Sequence, residues 1–388
     1  MRDTVLRQNA YRLRWGQLLR GFALEYTGGM LSEEYGLHRV VQEEGVLPQQ
    51  AQRLDPSLPL RDTELLVEVD SLNIDAASFA QIWKQSDGDA RKAGQIIEFI
   101  VRARGKMHNP VTNSGGMLMG RVNKIGSRHP ALSRLSPGDC IATLVSLSLT
   151  PLSLEEIKAI DPLTARVDIR GRAILFATGI YAKLPVDLPP AVALAALDVC
   201  GAPAQVARYA KPGMRVAVIG AGKSGALCLA QARRSLGSTG QLIALDVSRA
   251  ALGSLLSLGL CDVGIAVDAT HPVELMEKVA EETRGALCDL VVNCASAPNT
   301  EMATVLSVRV GGMALFFSMA TSFGAATLGA EGVAKDVTLL MGNGYVPGHA
   351  ELTLDLLRTD GRLRKLFEDR YYRAARAPLP PPLASEGH

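Results

Sequence analysis

Residues 215–233, RVAVIGAGKSGALCLAQAR, constrain the fold of this chain more than any other stretch. Gly220, Gly222 and Gly225 complete the pattern G-x-G-x-x-G, and its surroundings decide what the pattern means. Arg215 to Ile219 is a short valine-rich run of the kind that forms a buried parallel strand. From Ser224 to Leu236 apolar residues recur at helical spacing, so the glycines occupy a strand-to-helix turn, where free N–H groups favour an anion. A triphosphate-binding loop overlaps the same residues, since Gly222, Lys223 and Ser224 end a G-x-x-x-x-G-K-[ST] pattern, but Ala217 stands where its first glycine belongs. The next strand, QLIALD, separates the two readings. It ends in Asp246, about 20 residues beyond Gly225, where an acid accepts hydrogen bonds from the ribose diol of NAD. The turn is therefore expected to bind a dinucleotide rather than merely to pack helix on sheet. Gly220, Gly222, Lys223, Ser224, Gly225 and Asp246 are assigned to NAD, with Asn293 and Ala295 at the end of CDLVVNCA. Arg249 offers a cation that softens the preference, leaving NADP as a weaker alternative.

The turn belongs to a longer alternation. From Arg215 onward RVAVI, QLIALD, VGIAV, CDLVVNCA, MALFFSM and VTLLMG alternate with helical stretches such as PVELMEKVAEETRG. Six strands with helical crossovers make one doubly wound parallel sheet. Upstream, strands dominate: ELLVEVDSLNI, MLMGRVNKIG, DCIATL and ARVDIRGRAIL, interrupted by the amphipathic helix DARKAGQIIEFIVRARG. The 388 residues exceed what one hydrophobic core organises. The expected layout is an N-terminal extension over 1–36, a β-rich domain over 37–190 completed by about 345–375, a dinucleotide domain over 191–344 and a disordered tail over 376–388.

A net charge of +2, with basic residues scattered, excludes a nucleic-acid footprint. The uncharged run Val310 to Ala330 is broken by glycines and reads as a central strand and loop, not a membrane span. Six cysteines without a C-x-x-C pair point to buried free thiols and a cytoplasmic setting. The Arg-rich start, with Arg2, Arg7, Arg12, Arg14 and Arg20 against Asp3, resembles a mitochondrial presequence. A helical surface extension or an upstream start codon is the preferred reading of it.

A β-rich front followed by a dinucleotide domain resembles the medium-chain dehydrogenase/reductase superfamily. LLVEVDSLNIDAASF, SGGMLMGRVNKIG, LSPGDCIATL, YAKLP and the glycine turn carry the likeness, over about His38 to Arg364. It implies an α/β architecture: a GroES-like β-rich catalytic domain plus a doubly wound Rossmann domain. Zinc-dependent members place a Cys where this chain has Asn73, Ile74 and Asp75, and Gly-His-Glu where it has Ser114, Gly115 and Gly116. Their four-cysteine lobe is replaced by LVSLSLTPLSLEEIKAID. No metal is expected, since His108 and Asp75 find no third ligand nearby. Within the superfamily HRVVQEEGVLPQQAQRLD, LNIDAASFAQI, GKMHNPVTNSGGMLMG, ATLVSLSLTPLSLEEI, LDVCGAPAQVARYAKPG and MGNGYVPGH resemble the L-erythro-3,5-diaminohexanoate dehydrogenases of lysine fermentation. That likeness implies oxidative deamination by NAD and water, giving 5-amino-3-oxohexanoate, ammonium and NADH.

An amine can do without zinc, because its nitrogen lone pair expels hydride and water then attacks the iminium. Such a site requires a base, an anion for the second ammonium and a cation for the carboxylate. Asp75 is the candidate base or ammonium ligand, with Asn73, two residues before it, assigned to the same catalytic set; the alternative for Asp75 is an N-cap for AASFAQIW. Asp198 is the second carboxylate, or else a helix-start residue. Lys106 is the candidate for the substrate carboxylate, against the usual fate of a solvated lysine. Asn109, Thr112 and Asn113 are assigned neutral hydrogen bonds. Rival readings are a zinc-free quinone or enone reductase using NADPH and a nucleotide-binding module without catalysis. The expected partners are a small-molecule substrate and further copies of the chain, as a homodimer or homotetramer.

Overall fold

The computed structural model describes residues 33–372, apart from Glu44, Met319 and Asn343. The Arg-rich start and the proline-rich tail lie outside the described residues. Compactness divides the chain after Ile180, ahead of the expected boundary at 190.

The first unit is built on an antiparallel sheet. Its strands β1 (Glu64–Asn73), β2 (Met117–Ile125), β3 (Cys140–Thr143), β4 (Leu152–Asp161) and β5 (Arg166–Phe176) lie in the order β4-β5-β1-β2-β3. β1 pairs antiparallel with both β2 and β5. Hence most of ELLVEVDSLN is buried. β4 arises in the segment LSLEEIKAID. Its Glu155 and Glu156 reach across to Arg170 and Arg172 of β5, as opposite charges on neighbouring strands do. Between β1 and β2 run α1 (Ala76–Gln85) and α2 (Ala90–Arg104). Asp89 caps α2 by accepting from the Lys92 N–H, and Ala93, Ile97, Ile100 and Val101 form its buried stripe. Gly105 ends the helix at φ 61, where a Cβ would collide with the Leu54 carbonyl.

A charged cluster is buried at the start of β1. Both carboxylate oxygens of Glu64, a fully buried residue, accept from Arg39, from Nε at 2.7 Å and Nη2 at 2.7 Å. His38 Nε2 and the Arg61 N–H complete its shell at 2.7 and 2.8 Å. Burial alone would raise the Glu64 pKa; these partners outweigh it and hold the carboxyl down at about 2. Arg39 also donates to the carbonyls of Ser57 and Pro59, so one ion pair gathers the loop before β1.

The second unit opens with β6 (Tyr181–Lys183), α3 (Pro190–Leu197) and α4 (Gly201–Tyr209). A six-stranded sheet follows, in the order β12-β11-β10-β7-β8-β9. All its pairings are parallel. The strands are β7 (Arg215–Ile219), β8 (Gln241–Asp246), β9 (Val263–Ala266), β10 (Cys288–Asn293), β11 (Val308–Phe316) and β12 (Val337–Met341). Between them run α5 (Lys223–Leu236), α6 (Arg249–Ser257), α7 (Pro272–Glu282), α8 (Glu301–Ser307) and α9 (Phe323–Gly332). Ala217, Ile243, Val291 and Ala314, one from each of four adjacent strands, meet Leu275, Val279, Val305 and Ala326 in a single core cluster. After the sheet come α10 (His349–Thr359) and α11 (Gly361–Phe367). The segment from 345 on was expected to complete the first unit but is grouped with the second. Thr353 donates to the Cys200 carbonyl and Arg358 makes a two-pronged pair with Asp187 at 2.8 and 2.9 Å, which accounts for that grouping. Among the described residues no single helix is long and apolar enough to cross a membrane.

Candidate functional site

In the second unit each glycine of the turn has its own job. Gly220 follows β7 at φ 101, and a Cβ on it would lie 3.0 Å from the carbonyl carbon of Cys294. A Cβ on Gly225 would collide with the Gly220 carbonyl, so only glycine lets α5 lie against the turn. Gly222 differs: a Cβ there meets nothing within 4 Å, and α5 begins without a side-chain cap. An open space in front of uncapped N–H groups fits a pyrophosphate. Asp246 ends β8, and its carboxylate accepts from the N–H groups of Ala221 and Ser248, each at 2.7 Å. It thus ties the second strand to the turn while each oxygen keeps a lone pair for a ribose hydroxyl. Arg249 is the exposed first residue of α6.

Other assignments to this half need correcting. The Asn293 side chain is fully buried and donates to the hydroxyls of Thr300 and Thr304 at 2.9 and 2.8 Å. Its Oδ1 accepts from the Ala295 N–H at 3.0 Å, so both groups are spent on shaping the loop after β10 rather than on a cofactor. Ser224 Oγ donates to Cys294 Sγ at 3.4 Å, again beneath the turn. Lys223, the first residue of α5, forms an ion pair with Asp198. Asp198 closes α3 at its C-cap instead of starting a helix. A carboxylate is disfavoured at that end by the helix dipole, and Lys223 offsets it.

In the first unit Asp75 is the N-cap of α1, with Oδ1 accepting from the Ser78 N–H at 2.9 Å. Its other oxygen, Oδ2, is buried and has no hydrogen-bond partner among the described residues. The capping alternative therefore holds, yet half of the carboxylate remains unspent. Gly115 and Gly116 lie hard against neighbouring backbone. A Cβ on Gly116 would strike the Asn73 carbonyl and come within 2.8 Å of the Asp75 N–H nitrogen, and one on Gly115 would strike the Met107 carbonyl. Segments 73–75, 114–116 and 107–109 are thus adjacent chains. Three hydroxyls gather beside the cap: Ser78 Oγ lies 2.6 Å from Thr112 Oγ1 and 2.8 Å from Ser114 Oγ, and the last two are 3.1 Å apart. Thr112, assigned a hydrogen bond to substrate, is thus bonded to Ser78 and Ser114 within the protein. Nothing in the periodicity of AASFAQIW distinguishes Ser78, whose hydroxyl matters only through a loop more than thirty residues away.

Three further residues sit otherwise than expected. Lys106 is fully buried, and its ammonium donates to the carbonyls of Pro48 and Gln49 at 2.7 and 3.1 Å. Desolvation, with Arg104 nearby, lowers its pKa to about 8. Its charge pins the loop of Pro48 and Gln49 and is not presented to a substrate. Asn109 is buried too, donating to Gln81 Oε1 at 2.8 Å and accepting from the Val111 N–H at 2.8 Å, so it folds the loop. Asn113 is exposed, in the left-handed region at φ 54. Among the described residues no group of three or more His, Cys, Asp or Glu side chains is arranged to hold a metal.

Residues 38–185 match the family described as L-erythro-3,5-diaminohexanoate dehydrogenase N-terminal domain. The L-erythro-3,5-diaminohexanoate dehydrogenase of Acetoanaerobium sticklandii is 48% identical over 339 residues, 87% of this chain and 98% of that protein. Its counterpart from Fusobacterium nucleatum subsp. nucleatum is 49% identical over 340 residues, again 87% and 98%. Among solved structures, an alcohol dehydrogenase from Thermotoga maritima superposes with a TM-score of 0.50 at 16% identity, covering 80% of this chain and 86% of its own, which shows a shared fold. With near-half identity along almost the whole of both relatives, this chain belongs to the L-erythro-3,5-diaminohexanoate dehydrogenase family.

Proposed function

We propose that this chain oxidatively deaminates L-erythro-3,5-diaminohexanoate at C3, using NAD. The balance is diaminohexanoate, NAD and water in, and 5-amino-3-oxohexanoate, ammonium, NADH and a proton out. NAD supplies the hydride acceptor. The observation that carries the reading is the unpartnered Oδ2 of Asp75, a buried acceptor that asks for a cationic donor. An ammonium on the substrate satisfies it, and the same oxygen takes the proton that must leave before the nitrogen lone pair can act. Once Asp75 has passed that proton on to solvent it is again a carboxylate, and it holds the iminium electrostatically until water adds. Thr112, Ser78 and Ser114 supply neutral lone pairs to the remaining N–H groups. Absorbance at 340 nm tests the assignment: diamine with NAD is expected to give turnover, whereas quinone with NADPH, or no turnover at all, would overturn it.

Cofactor choice rests on Asp246. Its carboxylate is fixed by two backbone N–H groups, so it cannot swing away from a 2′-phosphate and would repel one. A higher kcat/KM with NAD than with NADP is expected; the reverse order would remove Asp246 from this role. We also read the enzyme as a cytoplasmic homodimer joined through β12, which ends its sheet. Val310, Phe323 and Leu328 are large, exposed apolar residues of β11 and α9, on that side of the fold. A single-chain mass by light scattering would overturn the dimer.

A further inference from the structure

His108 is the second buried group of the first unit that lacks what it needs. Only 8% of its surface is exposed, and its Nε2 has no hydrogen-bond partner among the described residues. Arg104 Nη1 stands 3.4 Å from Nδ1. A guanidinium only donates, so Nδ1 is the acceptor and the ring proton sits on Nε2. The ring also stays neutral, since burial, Lys106 and Arg104 push its pKa down to about 4. What remains is a fixed N–H, aimed at no acceptor, with two cations close by. That combination calls for an anion. Its place in the fold agrees: Asn109, next in sequence, donates its N–H to the Ser114 carbonyl at 2.9 Å, and Gly116 abuts Asp75.

We propose that His108 binds the substrate carboxylate, donating from Nε2 in the field of Arg104 and Lys106. This rests on the diaminohexanoate reading. It moves the role from Lys106, whose ammonium is spent on backbone carbonyls, to its neighbour two residues on. The first unit then offers a substrate two complementary groups, an acceptor at Asp75 for an ammonium and a donor at His108 for a carboxylate.

The test compares two substrates in two enzymes. In 2,4-diaminopentane a methyl group replaces the carboxymethyl group of 3,5-diaminohexanoate, so the carboxylate is lost and both amines stay. Wild type is expected to prefer the natural substrate by roughly 10²-fold or more in kcat/KM, because a site built for a polar group rejects an analogue lacking it. In His108→Ala that preference should shrink at least tenfold, and His108→Gln, which keeps an N–H donor, should restore part of it. A merely structural histidine would lower both substrates alike and leave the ratio unchanged, which would overturn the assignment. NADH binding, followed by fluorescence, should be the same in all three proteins; its loss from His108→Ala would also count against the proposal. Failure of wild type to turn over 3,5-diaminohexanoate would instead overturn the substrate reading on which this rests.

Discussion

Asp75→Asn is expected to lower kcat for the diamine by roughly 10² to 10⁴, the span over which a general base contributes. The substitution is informative because the two carboxylate oxygens do different things. Oδ1 caps α1 through the Ser78 N–H, and asparagine caps a helix as well as aspartate does, so the fold is kept. Oδ2 is the unpartnered atom, and an amide there offers a donor to the ammonium instead of an acceptor. NADH affinity and thermal stability should therefore match wild type while turnover collapses. Asp198→Asn makes the contrast, since Asp198 already neutralises Lys223. It should chiefly raise KM. Near-normal kcat in the Asp75 variant with collapse in the Asp198 variant would exchange the two roles. A rate that climbs toward alkaline pH is the companion expectation, because a free alkylammonium titrates near about 10.4.

The other large effect concerns folding. Glu64→Ala leaves the Arg39 guanidinium buried against carbonyls with only the half-exposed Asp55, 3.8 Å away, as counter-ion, and removing one partner of a buried pair costs about 3–5 kcal/mol. Denaturant unfolding of the full chain should show a loss of that order in the transition of the first unit. The pH dependence follows from the direction of the shift. Glu64 is held at about 2, below its ordinary 4.5, so its contribution is complete above 4.5 and is lost as the pH falls through about 2. Wild type should lose stability over that acid window, and Glu64→Ala should lack this component of the loss. An alanine variant as stable as wild type at neutral pH would show that the cluster does not hold the loop before β1.

What the sequence made legible was whatever is local. The glycine turn, Asp246 and the strand–helix alternation are short-range patterns, and each has its counterpart in β7, α5 and β8. The capping role of Asp75 was legible for the same reason, since the cap and the N–H it accepts from lie within one turn. Partners distant in sequence were not. Lys106 reads as a cation, and only the fold brings Pro48 and Gln49 over its ammonium. Asn293 ends a strand where cofactor contacts are expected, yet Thr300 and Thr304 consume its amide. β4 escaped notice because LSLEEIKAID alternates imperfectly, its register with β5 shifting twice along the strand. His108 was weighed only as a metal ligand. Its significance depends on a missing partner, and no sequence pattern records an absence.

Gly115 and Gly116 bear on the history open to this chain. The resemblance to the superfamily sets them where zinc-dependent members carry histidine and glutamate, which suggests that two substitutions would build a ligand set. Main chain lies close over both positions: a side chain at Gly115 would run into the Met107 carbonyl, and one at Gly116 into that of Asn73, with φ at 105 besides. Substitution at these codons alone would displace adjacent chains before it bound any metal. The bar to a ligand set is main chain and not side chains, and a designer wishing to install a metal here would have to rebuild segments 73–75 and 107–116 together.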